Sequence, residues 1–207
     1  MSSGSQPRTR RKVGRPGDGE DVRGAILAAA QRQLEATTSP DQVTVAAIID
    51  EAGCSPPSLY HYWSKRELLL REASACGWAQ FRASQSEAVA DHHDPVGRLR
   101  ERGRGYLEFA LAKPALFRVL FLEPPATTTA GPPAETGAAL DDLITDVTAA
   151  MVTGQLRRAD PLTTALALWS AVHGVAALWS VTPNLPHELA HSVGELAQEA
   201  VLIGLAG

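Results

Sequence analysis

The side chains best suited to surface chemistry are concentrated in one short stretch, CSPPSLYHYWSKREL, at residues 54–68. It brings hydroxyl, phenol, imidazole and ammonium groups close together along the chain. Groups of these kinds form hydrogen bonds with phosphate oxygens and with the edges of nucleic-acid bases. Two consecutive prolines stand where the helix carrying them would begin. The polar groups belong to Ser55, Ser58, Tyr60, His61 and Lys65.

The prolines are compatible with a helix that has Ser55 as its N-cap. Pro56 and Pro57 then occupy the first turn, where backbone N–H groups have no partner within the helix and a proline removes no helical bond. Because Pro57 has no N–H, we expect the Ser55 hydroxyl to accept from the N–H of Ser58.

Helical spacing divides this segment into two faces. Leu59, Tyr62 and Trp63 share the face that would pack inward, and Cys54 is placed to pack on Leu59 as a hydrophobic staple. These residues therefore fix the orientation of the helix.

The opposite face is left for solvent or a partner, and it carries Pro56, Pro57, Tyr60 and His61. We expect the proline edge to read DNA by van der Waals contact, for example with thymine methyl groups, while Tyr60 and His61 make polar contacts. The alternative is that the prolines only initiate the helix and touch nothing.

The elements predicted to position these residues are all helices, so we expect an all-α fold. No segment alternates with period two over the length of a strand, whereas helical spacing recurs from Asp21 to the end. A second short helix is capped by Thr44 and stopped by Gly53, and a fourth begins at Ser64 with a Ser64–Glu67 capping box and continues to a break at 91–95. Further helices are predicted at about 95–112, after Pro114, and at 138–153, 160–181 and 185–205, with a Pro/Thr/Gly loop at 123–137.

Charge and composition narrow the class of protein. The net charge of −4 conceals a basic arm, since the residues before Pro16 include five Lys or Arg and no acidic residue. The arm, residues 1–20, is predicted to be disordered when nothing is bound, although a tag remnant or a solubilising tail is the alternative.

Two cysteines without CxxC spacing disfavour a disulfide framework or a zinc site and suit a reducing cytoplasm. The apolar run 165–181 is interpreted as a buried helix, so no membrane partner is expected.

Two short helices joined by a glycine-containing turn after a basic arm outline a helix-turn-helix. The segment TVAAIIDEAGCSPPSLYHYWSKRELLL, residues 44–70, resembles the DNA-binding motif of the TetR family of bacterial transcriptional regulators. Thr44, the Ala52-Gly53 pair, Leu59-Tyr60 and Lys65 to Leu68 match its pattern. Cys54 and Pro57 depart from it, since the family usually has valine and a small residue there.

The resemblance implies a DNA-binding transcriptional regulator that acts as a repressor, and we expect neither enzymatic activity nor a cofactor. It implies a helix-turn-helix domain at 21–67 and a larger helical regulatory and dimerisation domain at 68–207. The partners would be a double-stranded palindromic operator, a small apolar or amphipathic effector and a second copy of the chain. Phosphate contacts would come from Thr44, Tyr60 and Lys65, and major-groove contacts from Ser55, Pro56, Pro57, Ser58 and His61. Independently, Lys65 lies at the positive start of the fourth helix, where a phosphate would be favoured.

The segment LWSAVHGVAALW, residues 168–179, resembles the Trp-x-x-x-His-Gly signature of one subgroup's regulatory domain. The resemblance implies a dimer through the last two helices, and an apolar stripe on the last helix fits this. The stripe comprises Val193, Leu196, Ala197, Ala200 and Val201.

The pocket candidates are aromatic residues that would surround the middle of the larger domain. Each could instead be an ordinary core residue, and a core role is the more frequent one for a histidine in such a helix. Arg98, Arg100, Arg102 and Arg104 are interpreted as a solvated helix face. The candidates are Trp78, Phe81, Tyr106, Phe109, Phe117, Phe121, Trp169 and His173.

The sequence also permits two other classes of function. DHHD, residues 91–94, contains metal-ligand types and permits a metal-responsive regulator, but adjacent residues rarely close on one ion and a capped helix end explains them better. The third class is a helical interaction module that has lost DNA binding. No nucleophile motif, phosphate-binding glycine loop or dinucleotide fingerprint supports an enzyme.

Overall fold

The computed structural model describes residues 18–123, 134–182 and 184–207, and over those residues it is helical without a β-strand. This confirms the predicted all-α fold. The basic arm falls outside the described residues, apart from the helical backbone of 18–20. The helices are α1 Asp18–Ala36, α2 Val45–Ala52, α3 Pro56–Tyr62, α4 Arg66–Ala73, α5 Ala75–Ala88, α6 Pro95–Ala112, α7 Pro114–Phe117, α8 Ala134–Val152, α9 Pro161–Val181 and α10 His187–Leu205.

Helices α1 to α4 enclose the first of three apolar clusters, here called the N-terminal core. Ile26, Leu34, Ile48, Leu59 and Leu69 have no exposed surface in it. The amphipathic pattern of each helix supplies one apolar face, and the faces meet because the connections between these helices are short. The N-terminal core therefore fixes α3 against the rest of the protein.

The ends of α2 were predicted correctly from the sequence. The Thr44 side chain accepts from Ala47 N at 3.2 Å and caps the start of the helix. Gly53 ends it in the left-handed region, with φ of 64°, which a residue without Cβ adopts at little cost. These two residues set the turn that leads into α3.

The predicted fourth helix is two helices. It does not begin at Ser64, and the capping box is wrong, because α4 starts at Arg66 after Lys65, which has an extended backbone and makes no side-chain cap bond. The helix then breaks at Ser74, a buried residue whose hydroxyl donates to Arg71 O at 2.8 Å. A serine that bonds backward to the chain competes with the helical ladder.

Helices α5 to α10 form two further clusters. The central core contains the aromatic residues Trp78, Phe81, Tyr106, Phe109, Phe117 and Trp179. The distal core, built from α6, α8, α9 and α10, contains Leu99, Val147, Leu168 and Leu202. Two of these helices begin at carboxylate caps, since Asp94 accepts from Gly97 N and Asp160 from Thr163 N, each at 2.7 Å.

Helix α8 begins earlier than predicted. It starts at Ala134, so residues 134–137 are helical and not part of the proposed 123–137 loop, of which 124–133 lie outside the described residues. The sequence gives a reason, because Pro132 and Pro133 immediately precede a run that favours helix. Helix α10 begins at His187, with Pro186 as its N-cap residue and not within its first turn.

The segment from α7 onward contacts two cores. After α7 the chain makes one π-helical turn, Arg118–Leu122. Ala115 and Val119 pack in the N-terminal core, whereas Phe117 and Phe121 pack in the central core. The segment therefore joins the two parts of the molecule.

Helix α9 is long and apolar enough to cross a bilayer by length and composition, with a mean hydropathy of 1.4. Core helices of soluble proteins pass the same test, so this is weak evidence for a span. Only 39% of its apolar window is buried, so the prediction of a buried helix holds for one side alone.

Candidate DNA-binding surface and effector cavity

Helix α3 begins as predicted, with Ser55 as its N-cap and the two prolines in its first turn. Ser55 has the extended backbone of an N-cap, and Pro56 and Pro57 occupy the first two helical positions. Ser58 N donates to Ser55 Oγ at 3.4 Å, and the two serine hydroxyls are 2.9 Å apart. The predicted cap is confirmed, and both hydroxyls are held at the start of the helix.

The two faces of α3 are also as expected. Leu59 is fully buried and Trp63, the C-cap, is 4% exposed, while Tyr62 and Cys54 pack against the same core. The outward residues Pro56, Pro57, Tyr60 and His61 are exposed, Tyr60 to 52%. Tyr62 meets the His61 ring edge-on at 4.9 Å, which limits the motion of the imidazole.

The flanking candidates lie at two other helix starts. Thr44 and Lys65 are both exposed. The Thr44 oxygen accepts from Ala47 N, which leaves its hydroxyl proton free to donate to a phosphate. Lys65 precedes α4, whose positive end favours an anion nearby. The eight residues Thr44, Ser55, Pro56, Pro57, Ser58, Tyr60, His61 and Lys65 are here called the reading surface.

Arg66 was not singled out in the sequence, yet it fixes the geometry of this region. Its Nη1 donates to Pro40 O at 2.7 Å and to Val43 O at 2.9 Å, so it ties α4 to the turn that precedes α2. Lys65 beside it faces solvent. Nothing in two consecutive basic residues shows which one points inward, so the sequence held no signal for this.

A polar chain connects α1 to α5 and α6. Glu35 accepts from Gln80 Nε2 at 2.8 Å and from Gln31 Nε2 at 3.1 Å, and Lys113 Nζ donates to Gln80 Oε1 at 2.5 Å. Partial burial raises the pKa of the Glu35 carboxyl, but the hydrogen bonds from Gln80 and Gln31 outweigh it and lower the pKa overall. The carboxylate form is thus the one this contact between helices stabilises.

The larger part of the molecule contains a cavity of about 330 Å³ between the central and distal cores. Ligand pockets span about 300–1,000 Å³, so this one suits a small molecule. Five of the eight candidate pocket residues line it, and its wall is mostly apolar. They are Trp78, Phe81, Tyr106, Phe121 and Trp169.

The other three candidates do not line the cavity. Phe109 and Phe117 are buried in the central core, and Tyr106 Oη lies 2.7 Å from His173 Nδ1. Burial raises the pKa of Tyr106 and lowers that of His173, so both groups are held neutral. This agrees with the interpretation of His173 as a core histidine.

Four arginines were interpreted as a solvated helix face, and this was wrong for two of them. Arg102 is 7% exposed and directs Nε and Nη2 to Asp146 Oδ2 at 2.9 and 2.5 Å. Arg98 donates from Nε to Asp146 Oδ1 at 2.8 Å. Arg102 also lines the cavity, so a buried charge lies at its edge.

Two glutamines complete the polar end of the cavity. Gln198 and Gln85 are both buried and both line it. Gln198 Nε2 donates to Leu99 O at 2.6 Å. Gly103 makes this approach possible, because a Cβ there would collide with the Gln198 amide. The spacing of Arg98, Arg102 and Tyr106 by four residues was the available signal that these arginines face inward.

The DHHD segment does not gather ligands. Asp94 caps α6 and also accepts from Gln155 Nε2 at 2.5 Å. Within the described parts of the chain no group of three or more His, Cys, Asp or Glu could hold a metal ion.

Two family models match the sequence. The model described as bacterial regulatory proteins, tetR family, matches residues 26–73, and the tetracyclin repressor-like, C-terminal domain matches residues 99–201. No curated protein is similar enough in sequence to count as a relative.

Several solved structures share the fold. A protein of unknown function from Rhodococcus sp. RHA1 has a TM-score of 0.71 at 24% identity, over 90% of this chain and 96% of its own. A TetR-family transcriptional regulator from Pectobacterium atrosepticum has a TM-score of 0.70 at 20% identity, over 93% and 97%. RolR in complex with resorcinol has a TM-score of 0.61 at 15% identity, over 92% and 90%.

The structural likenesses show the fold, and the two family models cover both the helix-turn-helix and the larger helical region. The helix-turn-helix geometry of α2 and α3 agrees with them. The chain belongs to the TetR family of DNA-binding transcriptional regulators, which are not enzymes.

Proposed function

We propose that this regulator binds a palindromic operator as a homodimer and is released from it by a small apolar or amphipathic ligand in the cavity. Residues 21–67 would contact DNA, and 68–207 would hold the ligand and the dimer interface. The protein would act in the cytoplasm, where its operator lies.

The observation that carries the proposal is the division of α3 into two faces. Leu59 and Trp63 pack the helix against the N-terminal core, while the reading surface is exposed except for Ser58, which is half-buried. A recognition helix must be rigid on its inner side and free on its outer side in order to enter the major groove. Its hydroxyl, phenol and imidazole groups match the donors and acceptors of base edges and phosphates.

Exposed apolar residues on α9 and α10 support a homodimer. Of the eleven large apolar side chains exposed among the described residues, eight belong to these two helices. Along each helix they recur at helical spacing, and on α9 the exposed Ser170 and Gly174 fill the intervening positions. A contiguous apolar stripe of this kind marks an association surface. The eight are Leu162, Leu166, Leu178, Val181, Leu189, Val193, Leu196 and Ile203.

The route from ligand to DNA would run through the shared segment after α6. Phe121 lines the cavity, and Val119, two residues earlier, packs in the N-terminal core. A ligand releases DNA only if it binds the two conformations with different affinity. Displacement of Phe121 would supply that difference.

The test is selection of bound sequences from random duplex DNA, followed by affinity measurements over a range of salt concentrations. We expect a palindrome and a steep fall in affinity with salt. Lys65→Gln should weaken binding to all sequences and reduce the salt slope by roughly one, whereas Arg82→Gln, which removes a surface cation on α5, should change neither. Absence of DNA binding in the intact dimer would favour an interaction module and overturn the proposal.

The prolines give a second test of base reading. Pro56→Ala and Pro57→Ala retain the helix but remove apolar ring carbons from the reading surface. We expect changed preference at one or two operator positions, and His61→Ala should relax another by about 1–3 kcal/mol. Unchanged preference at every position would show that the prolines only initiate α3.

A further inference from the structure

We propose that the effector is a small amphipathic monoanion, an aromatic or short aliphatic carboxylate whose anionic group lies at Arg102. This rests on the proposed function, since it takes the cavity to be the effector site. It adds the charge and the polarity of the ligand, which an apolar wall alone does not define.

The cluster of charged residues at the cavity edge carries an excess positive charge. Two guanidinium groups, Arg98 and Arg102, face the single carboxylate of Asp146, which leaves one net positive charge. Among the described residues Asp146 is the only acidic group in ion-pair distance of either arginine. The nearby acidic residues have other partners, since Glu101 pairs with Arg104 and Glu199 with Arg100.

Of the two arginines, Arg102 has the donor at which an anion can neutralise that excess charge. Arg98 already gives Nε to Asp146 and Nη1 to Val89 O and His92 O. Arg102 gives Nε and Nη2 to one oxygen of Asp146, and its Nη1 has no acceptor in the described part of the chain. Guanidinium groups carry five donors, and a buried donor without an acceptor is costly. An anion in the cavity supplies the acceptor and the compensating charge together.

The rest of the cavity wall is mostly apolar. Aromatic rings of the wall pack edge-on, with Phe81 and Phe121 centroids 5.3 Å apart and Trp78 and Phe121 4.8 Å apart. Apolar surface of this kind accepts a ring or a short alkyl chain. The polar side chains Gln85 and Gln198 line the same cavity as Arg102. The cavity therefore suits a ligand with one charged and one apolar end.

The experiment measures calorimetric binding of benzoate, phenylacetate and hexanoate to the full-length protein, each beside its carboxamide, which has the same skeleton without the charge. We expect at least one carboxylate to bind, and to bind about tenfold or more tightly than its amide, because charge-assisted hydrogen bonds are the stronger ones. Carboxamides that bind as tightly as the carboxylates, or no binding by any member of the panel, would overturn the proposal.

Three variants test whether Arg102 binds the anionic group of the ligand. Arg102→Gln should abolish the preference for carboxylate, Arg102→Lys should retain part of it, and Arg100→Gln, on the exposed side of the same helix, should leave it unchanged. Asp146 keeps Arg98 as a partner in Arg102→Gln, so no carboxylate is left unpaired there. A preference that persists in Arg102→Gln contradicts the assignment, and the comparison within the unaltered protein stands even if a variant fails to fold.

Failure of this inference and failure of the proposed function have different signatures. A carboxylate that binds with the expected preference but does not release operator DNA supports the ligand class and contradicts the effector role. A neutral ligand that binds the cavity and releases DNA supports the effector role of the cavity and contradicts the ligand class.

Discussion

The two ends of this molecule place their recognition groups on opposite sides of their cores. In the N-terminal core the buried side chains are apolar, and the groups suited to DNA are on the outer face of α3. Beyond α4 the interior itself is partly polar. Every buried polar side chain in the described residues lies there, namely Ser74, Gln85, Arg102, Asp146, Thr164 and Gln198.

The difference follows from the size of the partner. A duplex cannot enter a protein, so a helix-turn-helix reads it from outside and its interior serves only to hold the reading helix still. A small ligand is enclosed, so the groups that recognise it must be buried. Buried polar groups then need partners of their own, because desolvation is otherwise uncompensated. Each of the following variants tests one side of this contrast.

The largest effect is expected at the buried carboxylate. Asp146→Asn removes the only acidic partner of Arg98 and Arg102 within the described residues, and we expect a loss of about 3–5 kcal/mol in the free energy of unfolding. Urea denaturation measures it. Glu199→Gln, which breaks the exposed pair with Arg100, should cost no more than about 1 kcal/mol. Equal losses in the two variants would show that the buried and the exposed ion pairs contribute equally to the free energy of unfolding.

Adjacent residues of α3 sharpen the contrast at the other end. Leu59→Ala opens a cavity in the N-terminal core and should cost about 2–5 kcal/mol of stability. His61→Ala, on the exposed face, should change stability by less than about 0.5 kcal/mol while operator affinity falls. Denaturation and DNA-binding titrations of both variants check this. A strongly destabilised His61→Ala protein would mean that the outer face of α3 is structural.

The exposed stripe on α9 predicts a surface that becomes buried only in the dimer. A Cβ at Gly174 meets nothing within 4 Å, so the Gly174→Leu substitution should not disturb the fold of the single chain. In the dimer the added side chain would overpack the interface, at a cost of about 1–3 kcal/mol in association. Sedimentation equilibrium measures the shift, and Gly24→Leu on α1, with equally open space, is the control. Unchanged association in Gly174→Leu would place the interface elsewhere.

The smallest effect concerns the cap that sets the start of α3. Ser55→Ala removes the acceptor for Ser58 N–H and should cost about 1 kcal/mol. Ser86→Ala, at an exposed position within α5, should cost nothing because alanine has the higher helix propensity. Thermal unfolding of the two variants distinguishes them, and a neutral Ser55→Ala would show that the prolines alone set the start of the helix.

Both ends of α2 and the start of α3 could be predicted from sequence, whereas the start of α4 could not. The signals there are local, since a cap and the N–H it binds are three residues apart, as at Thr44 and Ser55. The proline pair even determined which N–H the Ser55 hydroxyl would bind. The break at Ser74 was missed because the surrounding apolar pattern continues through it, and only the buried hydroxyl distinguishes the position.

The polar end of the cavity could not be found in the same way. Arg102 and Asp146 are 44 residues apart, and their contact depends on how α6 packs on α8. The four-residue spacing of Arg98, Arg102 and Tyr106 places them on one face of α6, but it does not show that an acidic residue of another helix meets that face. The aromatic candidates were easier to identify, since large apolar rings are usually buried, and five of eight line the cavity.

The segment that follows α6 affects where the chain can be truncated. Ala115, with no exposed surface, and Val119 belong to the N-terminal core although they are distant from it in the chain. A fragment ending after α4 would expose to water the apolar positions that these two residues cover. We therefore expect a fragment truncated at that point to be less stable than the same helices in the full-length protein, even though its own helices are complete.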